Sequence, residues 1–256
     1  MDLQLAGKTA VVTAASGGIA GAVVRTLIAE GVRVLGVDRT VTPALKETGA
    51  VTVEADLTGA EGVEKVRQAA ESELGGVDLL VNGVGGLAGL PVGGLADTTD
   101  ETWQKAFELN FFATMRVTRA LETLLREAVV NISTGVARWP TAGPNWYGSS
   151  KAALSHFSKG LADELGPRGI RVNTVSPGLI QTPLWDEYGP RLSAARGSDD
   201  TQKFLTDLPG AANVTLGRWG TPQEIANVIV FLGSPAAGYV TGVDYIVDGG
   251  AEKVIR

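Results

Sequence analysis

Short apolar runs recur along the chain at intervals too long for hairpins, and most intervals hold a segment of helical period. The runs are TAVVT (9–13), VRVLGVD (32–38), AVTVEAD (50–56), VDLLVNG (77–83), AVVNIST (128–134), IRVNTVS (170–176) and DYIVDGG (244–250). Several are apolar at consecutive positions, which suits strands covered on both faces. Stretches 19–30, 61–74, 100–126 and 145–165 repeat apolar residues at helical spacing, the first closed by Gly31 as a C′ glycine. A further helix is announced by GTPQEI, with Thr221 as N-cap, Pro222 at the first helical position and Glu224 completing a capping box. Strand and helix alternating to the end predict an α/β fold: a doubly wound parallel sheet of about seven strands, helices on both faces, in one domain over 1–256.

Composition narrows what such a fold can serve. The net charge of −6, with no Lys/Arg cluster beyond two adjacent positions, argues against a nucleic-acid or anionic-membrane partner. With no Cys and one His, His156, a Cys/His zinc site is impossible and no metal site is expected. The cysteine-free chain fits a cytoplasmic location, and MDLQLAGKTAVVT lacks the marks of a secretory leader. The least patterned stretch, 183–217, is expected to hold short helices and to serve as a lid over substrate.

In VVTAASGGIAGAVVRTL a strand passes through a glycine turn into a helix. Free N–H groups and the positive dipole end of that helix suit a pyrophosphate, with Gly17 and Gly18 allowing close approach. Alone this is a weak signal. It is strengthened by Asp38, which ends the second strand 20 residues beyond Gly18, where a carboxylate accepts hydrogen bonds from the adenosine ribose. These features define a Rossmann-type site. Asp38 also repels a 2′-phosphate: two unit charges ~4 Å apart interact by at most about 4 kcal/mol at an effective dielectric of 20. NAD is therefore expected over NADP, with the adjacent Arg39 tempering the preference. Ala14 and Ala20 stand where such turns often carry glycine; they are expected to narrow the turn, and to be excluded only where φ is positive.

Tyr147 and Lys151 in NWYGSSKAAL lie one helical turn apart on the same face. An ammonium beside a phenol favours the phenolate and lowers a pKa otherwise near ~10. That makes the pair a candidate acid/base couple, since a base works best near the operating pH.

These motifs, in this order, make the chain resemble the short-chain dehydrogenase/reductase family over essentially its whole length. The family's Thr-Gly-x-x-x-Gly-x-Gly maps onto TAASGGIA, keeping Thr13 and Gly18 and replacing the flanking glycines by Ala14 and Ala20. Its Asn-Asn-Ala-Gly becomes NGVG, keeping Asn82 and Gly85. The resemblance implies a cofactor seat of Thr13, Ser16, Gly17, Gly18, Ile19, Asp38, Asp56, Leu57, Asn82, Gly83, Gly85, Tyr147 and Lys151. It adds Pro177, Gly178, Ile180 and Thr182 of PGLIQT as nicotinamide contacts, and Asn110 of FELNFFA as support for a water relay to the lysine. The family's catalytic Ser falls on Thr134, 13 residues before Tyr147, with Ser133 next to it. Strand alternation lets only one of the two hydroxyls face the site.

The implied reaction is reversible hydride transfer between NAD(H) and a secondary alcohol or ketone. Two other readings share these residues: an NADPH-dependent ketoreductase of 3-oxoacyl substrates, and a non-catalytic NAD-binding sensor. Trp139, Trp146, Trp185 and Tyr188 could wall an apolar pocket or simply pack. Arg138 could meet an acidic substrate group or remain a solvated loop residue, and His156 is read as structural or as a subunit contact. The family resemblance also implies a homotetramer or homodimer.

Overall fold

The computed structural model describes residues 2–140 and 143–253. The chain opens with β1 (Thr9–Thr13), which sends Ala10 and Val12 to one face of the sheet and Val11 to the other. Next come α1 (Gly18–Ala29), β2 (Arg33–Asp38), the single-turn α2 (Pro43–Lys46), β3 (Val51–Glu54), α3 (Ala60–Ala69) and β4 (Val77–Asn82). They are followed by α4 (Asp100–Phe107), α5 (Ala113–Leu121), β5 (Leu125–Ile132), α6 (Asn145–Leu165) and β6 (Arg171–Pro177). The remainder is α7 (Leu184–Ala195), α8 (Thr201–Ala211), α9 (Pro222–Gly233) and β7 (Asp244–Val247).

These strands form one parallel sheet in the order β3-β2-β1-β4-β5-β6-β7. The winding reverses between β1 and β4, and such sheets take ligands in the crevice outside the carboxyl ends of those strands. On one face Val23 and Leu27 of α1 pack with Ile225 and Ile229 of α9; on the other, Val117, Leu121, Leu161 and Leu165 fill the core. Each such side chain contributes about 1.5–3 kcal/mol on burial, so the crevice rests on a rigid floor. The Thr221/Glu224 capping box forms as the sequence predicts.

Several boundaries differ from the sequence reading. Stretch 100–126 is not one helix: α4 and α5 are joined by a π-helical turn, Glu108–Phe112, and α5 stops at Leu121. After a single 3-10 turn Leu125 already pairs with Val77, so sheet pairing overrides the helix propensity of Arg126 and Glu127. Likewise 61–74 passes from α3 into a π turn at Ala70–Leu74. DYIVDGG ends as a strand at Val247, because Gly249 and Gly250, at φ 64 and 79, turn the chain away. The poorly patterned 183–217 contains α7 and α8, whose periodicity Pro190 and Pro209 interrupt. Among the described residues no helix is long and apolar enough to cross a membrane.

Candidate active site

β1 delivers the chain to the crevice, and residues 14–17 turn it into α1. Gly17 caps α1 without a side-chain hydrogen bond, and no acidic residue occupies the first turn. The helix therefore begins with free N–H groups and an uncompensated positive end. A Cβ on Gly18 would lie 2.8 Å from Thr182 Cγ2, so the segment after β6 comes down on this turn and only glycine leaves room. These features fit a dinucleotide pyrophosphate.

The two alanines behave differently. Ala14 sits at φ 54, in the left-handed region, so this alanine occupies a backbone state that favours glycine. The expectation of mere narrowing is corrected here: the residue carries strain of about 1–2 kcal/mol. The turn is held by Ala15 N–H donating to Val37 O and Gly17 N–H donating to Ala14 O. Ala20 is instead an ordinary buried helical residue, packed where a Cβ on Gly83 would come within 3.1 Å of its methyl. Gly83 itself is required, since that Cβ would lie 2.5 Å from Thr13 O.

At the end of β2, Asp38 Oδ2 accepts the Ser16 amide at 2.9 Å, which locks the carboxylate against the turn. Asp56 Oδ1 accepts both the amide and the hydroxyl of Thr58, which hold its carboxyl below the usual range, with a smaller contribution from the Arg39 guanidinium. Leu57 is buried beside it.

Some residues expected at the cofactor also hold the frame. Thr13 Oγ1 accepts the amide of Gly83 at 3.0 Å, pinning the loop after β4 to β1. The Asn82 side chain enters the core: its Nδ2 donates to Asn131 Oδ1 at 2.8 Å and to Thr118 Oγ1 at 3.0 Å. Asn131 in turn donates to Ser158 Oγ at 2.8 Å, completing a buried ladder across β4, β5, α5 and α6. Pro177 closes β6, Gly178 fits against Asp248, and the Ile180 side chain packs into the core. Ser16 and Ile19 remain at the turn, only partly buried.

Around Tyr147 the geometry is tight. A Cβ on Gly148 would lie 2.9 Å from Val136 O, so the start of α6 sits directly against the loop after β5. The Thr134 hydroxyl acts on the Tyr147 phenol, partly opposing the effect of burial, and it accepts the Val136 amide at 3.3 Å. Ser133 faces the other way, its Oγ 2.9 Å from Ser155 Oγ and 3.2 Å from Lys151 O. The structure thus brings Thr134 to the phenol and leaves Ser133 as a brace between β5 and α6.

Lys151 is 2% exposed, and its Nζ donates to Ile132 O at 2.8 Å and to Val84 O at 3.4 Å. Asn110, at the middle of the π turn, accepts the Gly86 amide at 2.7 Å and donates to Gly86 O at 3.2 Å. A Cβ on Gly85 would come 2.5 Å from Lys151 Nζ and 2.8 Å from Asn110 Oδ1, so that glycine admits both side chains to one point. The expected electrostatics need correction. Burial pushes the Tyr147 phenol up to about 12, only partly opposed by Thr134, and pushes Lys151 down to about 7. Desolvation governs both groups, and the amine is directed to backbone carbonyls.

The carbonyls of Val84 and Ile132 and both backbone groups of Gly86 escaped sequence reading, because backbone partners leave no residue-type signature. Of the aromatic residues, Trp146 is buried, with Nε1 donating to Pro91 O at 3.0 Å. Trp185 packs 4.7 Å from Trp219 and 5.4 Å from Tyr188, while Trp139 lies outside that cluster. Arg138, partly buried, pairs with Asp244 at 2.5 Å. His156 is exposed on α6.

A glycine turn at the switch point of a parallel sheet, with a phenol and an amine one helical turn apart beside it, defines an α/β nucleotide-dependent oxidoreductase. Comparison with known proteins agrees. A family model described as enoyl-(acyl carrier protein) reductase matches residues 13–252. The short-chain reductase NovJ of Streptomyces niveus is 35% identical, covering 95% of this chain and 93% of that protein. The 3-oxoacyl-[acyl-carrier-protein] reductase FabG of Escherichia coli is 33% identical, over 98% of this chain and all of that one. Among solved structures, L-sorbose reductase of Gluconobacter frateurii, complexed with NADPH and L-sorbose, superposes with a TM-score of 0.90 at 34% identity over 100% of both chains. An NADPH-bound short-chain oxidoreductase of Pseudomonas aeruginosa, with an atypical catalytic center, gives 0.85 at 29% identity over 97% of this chain and 98% of that one.

The chain belongs to the short-chain dehydrogenase/reductase family. It is an NAD(P)-dependent oxidoreductase acting on the CH–OH/carbonyl pair.

Proposed function

We propose that the chain interconverts a secondary alcohol and its ketone with Tyr147 as acid/base, Thr134 as the donor that fixes the substrate oxygen, and Lys151 as the buried amine one helical turn from the phenol. The observation that carries this reading is that Thr134, just after β5, acts on the Tyr147 phenol, while the Lys151 amine, one turn along α6, is buried against Ile132 O. When bound, the dinucleotide supplies or accepts a hydride at its nicotinamide ring. The α1 N-terminus with Gly17 and Gly18, Asp38, Asp56 and the backbone near Thr182 would hold it, and Lys151 has donors left for a ribose hydroxyl.

In reduction Tyr147 gives its proton to the carbonyl oxygen, and in oxidation it removes the proton from the alcohol. A phenol that burial holds protonated is ready for the first task. Thr134 accepts from Val136 N–H, which orients its hydroxyl so that its proton can turn from the phenol to the substrate oxygen, where charge grows in the transition state. Asn110 anchors the loop at Gly86 and supports the amine's surroundings. Helices α7 and α8 act as the lid.

NAD(H) is the proposed cofactor, supported by the Asp38 carboxylate fixed on Ser16. An NADPH-dependent 3-oxoacyl ketoreductase is the second reading, favoured by the 33% identity to FabG and by the NADPH in the two structures. A sensor without turnover is disfavoured, because sensing gives no use to an aligned phenol and amine. A cytoplasmic homotetramer or homodimer is also proposed, supported by the cysteine-free sequence and by the exposed Tyr239 and Tyr245. The deciding experiment follows NADH and NADPH consumption with a panel of ketones and 3-oxoacyl thioesters. Tyr147→Phe should abolish turnover and preserve cofactor binding; undiminished turnover refutes the assignment.

A further inference from the structure

The lid brings a second phenol to the crevice. Tyr188, on α7, is 7% exposed and belongs to the same apolar cluster as Leu87, Trp146 and Tyr147. It lies close enough to Tyr147 for charge on one phenol to oppose charge on the other. The Tyr188 ring is buried, yet its hydroxyl makes no hydrogen bond among the described residues and is not one of the buried polar atoms left without a partner, so its oxygen is open to solvent. The neighbouring indole N–H groups are all committed: Trp146 to Pro91 O, Trp185 to Ile180 O and Trp219 to Leu205 O. Nor does the hydroxyl hold the lid in place. Arg191, one turn on, does that by donating to the carbonyls of Gly89 at 3.1 Å and Leu90 at 2.5 Å. Tyr188 is thus placed by packing and tether, with its polar end uncommitted.

We propose that Tyr188 is a specificity-determining residue that donates a hydrogen bond to a second oxygen of the substrate. The substrate class is then a ketone carrying a second oxygen, as a hydroxyl or oxo group, within reach of that donor. The inference rests on the reading of Tyr147 as the acid/base: Thr134 and Tyr147 take the reacting oxygen, and Tyr188 is the uncommitted donor in the same cluster.

The test compares 3-hydroxybutan-2-one with butan-2-one, using the full chain and reduced cofactor, in the wild type and Tyr188→Phe. The variant keeps the ring and loses no protein hydrogen bond. The wild type should favour the hydroxyketone by about tenfold in kcat/KM, as one added hydrogen bond allows. Tyr188→Phe should remove that preference through KM for the hydroxyketone, leaving butan-2-one unchanged. Calorimetric titration of the cofactor-loaded protein should show the same loss of hydroxyketone affinity. An equal ratio in both proteins, or an equal loss for both ketones, overturns the role of Tyr188 while leaving the oxidoreductase reading intact. If the wild type binds cofactor and reduces neither ketone, the proposed substrate class fails; retained turnover in the wider panel then separates this from failure of the oxidoreductase reading.

Discussion

Thr134 and Ser133 are adjacent hydroxyl residues at the end of β5, and they point to opposite sides of it. Thr134 acts on the Tyr147 phenol, whereas Ser133 braces Ser155 and the Lys151 carbonyl. Thr134→Ser should therefore keep activity within a few-fold. Thr134→Val, which preserves shape and removes the donor, should lower kcat by about 10²–10³. Ser133→Ala should leave kcat nearly unchanged and cost about 1 kcal/mol of stability. Steady-state kinetics with urea unfolding of the same three variants separates these effects, and a collapse of kcat in Ser133→Ala alone would reverse the assignment.

The buried amine makes stability depend on pH. Lys151 falls from an ordinary 10.5 to about 7 in the fold. Between those values the unfolded chain binds more protons, so stability rises with pH across that window. Tyr147 works in the opposite sense: with its phenol pushed from 10 up to about 12, the folded protein retains the proton longer, and stability falls as pH climbs through that range. The melting temperature of the cofactor-free protein should climb from about pH 7 to about pH 9.5, just short of the tyrosine window. Lys151→Met should be more stable near neutrality and show a flatter curve. Identical slopes in the two proteins would contradict a depressed lysine. Alcohol oxidation, which needs the phenol deprotonated, should accelerate with alkaline pH in the wild type.

Ala14 and Ala20 occupy glycine positions of the family pattern but only one of them is strained. Ala14→Gly relieves the φ 54 backbone and should stabilise the protein by about 1 kcal/mol. Ala20→Gly places glycine in a helix and removes a buried methyl, so it should destabilise by about 1 kcal/mol or more. Chemical denaturation of both variants gives opposite signs if φ is the cause. Equal signs would mean that crowding at the turn, rather than backbone conformation, sets the cost.

Much of this was legible in the sequence wherever one residue type has one physical use. TAVVT could only be a doubly covered strand, and GTPQEI could only open a helix; both stand as read. The Tyr147/Lys151 spacing placed the pair on one face of α6, and the family resemblance pointed to Thr134 or Ser133 as the hydroxyl beside the phenol. What stayed hidden depends on groups far apart in the chain. The left-handed Ala14 is set by the turn back toward β2. The π turn at Asn110 is set by bonds to Gly86, and the end of the 100–126 pattern by pairing of Leu125 with Val77. The acid/base electrostatics were misjudged for the same reason. Spacing on a helix fixes which face a side chain shares, whereas burial and the carbonyls of Ile132 and Val84 decide its charge.

Asp38 makes the choice of dinucleotide measurable. Its Oδ2 accepts the Ser16 amide, so the charge is fixed at the end of β2 rather than free to swing away. A 2′-phosphate brought within ~4 Å would meet repulsion of up to about 4 kcal/mol at an effective dielectric of 20, and half of that exceeds a tenfold preference. Arg39 works against this, but its charge also acts on Asp56, which leaves it partly neutralised. Fluorescence titration should therefore show NADH bound at least about tenfold more tightly than NADPH. Asp38→Asn keeps an oxygen for the Ser16 amide and removes the charge. It should narrow the ratio mainly by tightening NADPH, with NADH weakened only by the poorer acceptor at the ribose. If the wild type already binds NADPH more tightly, Arg39 outweighs Asp38, and Arg39→Ala should then restore the preference for NADH.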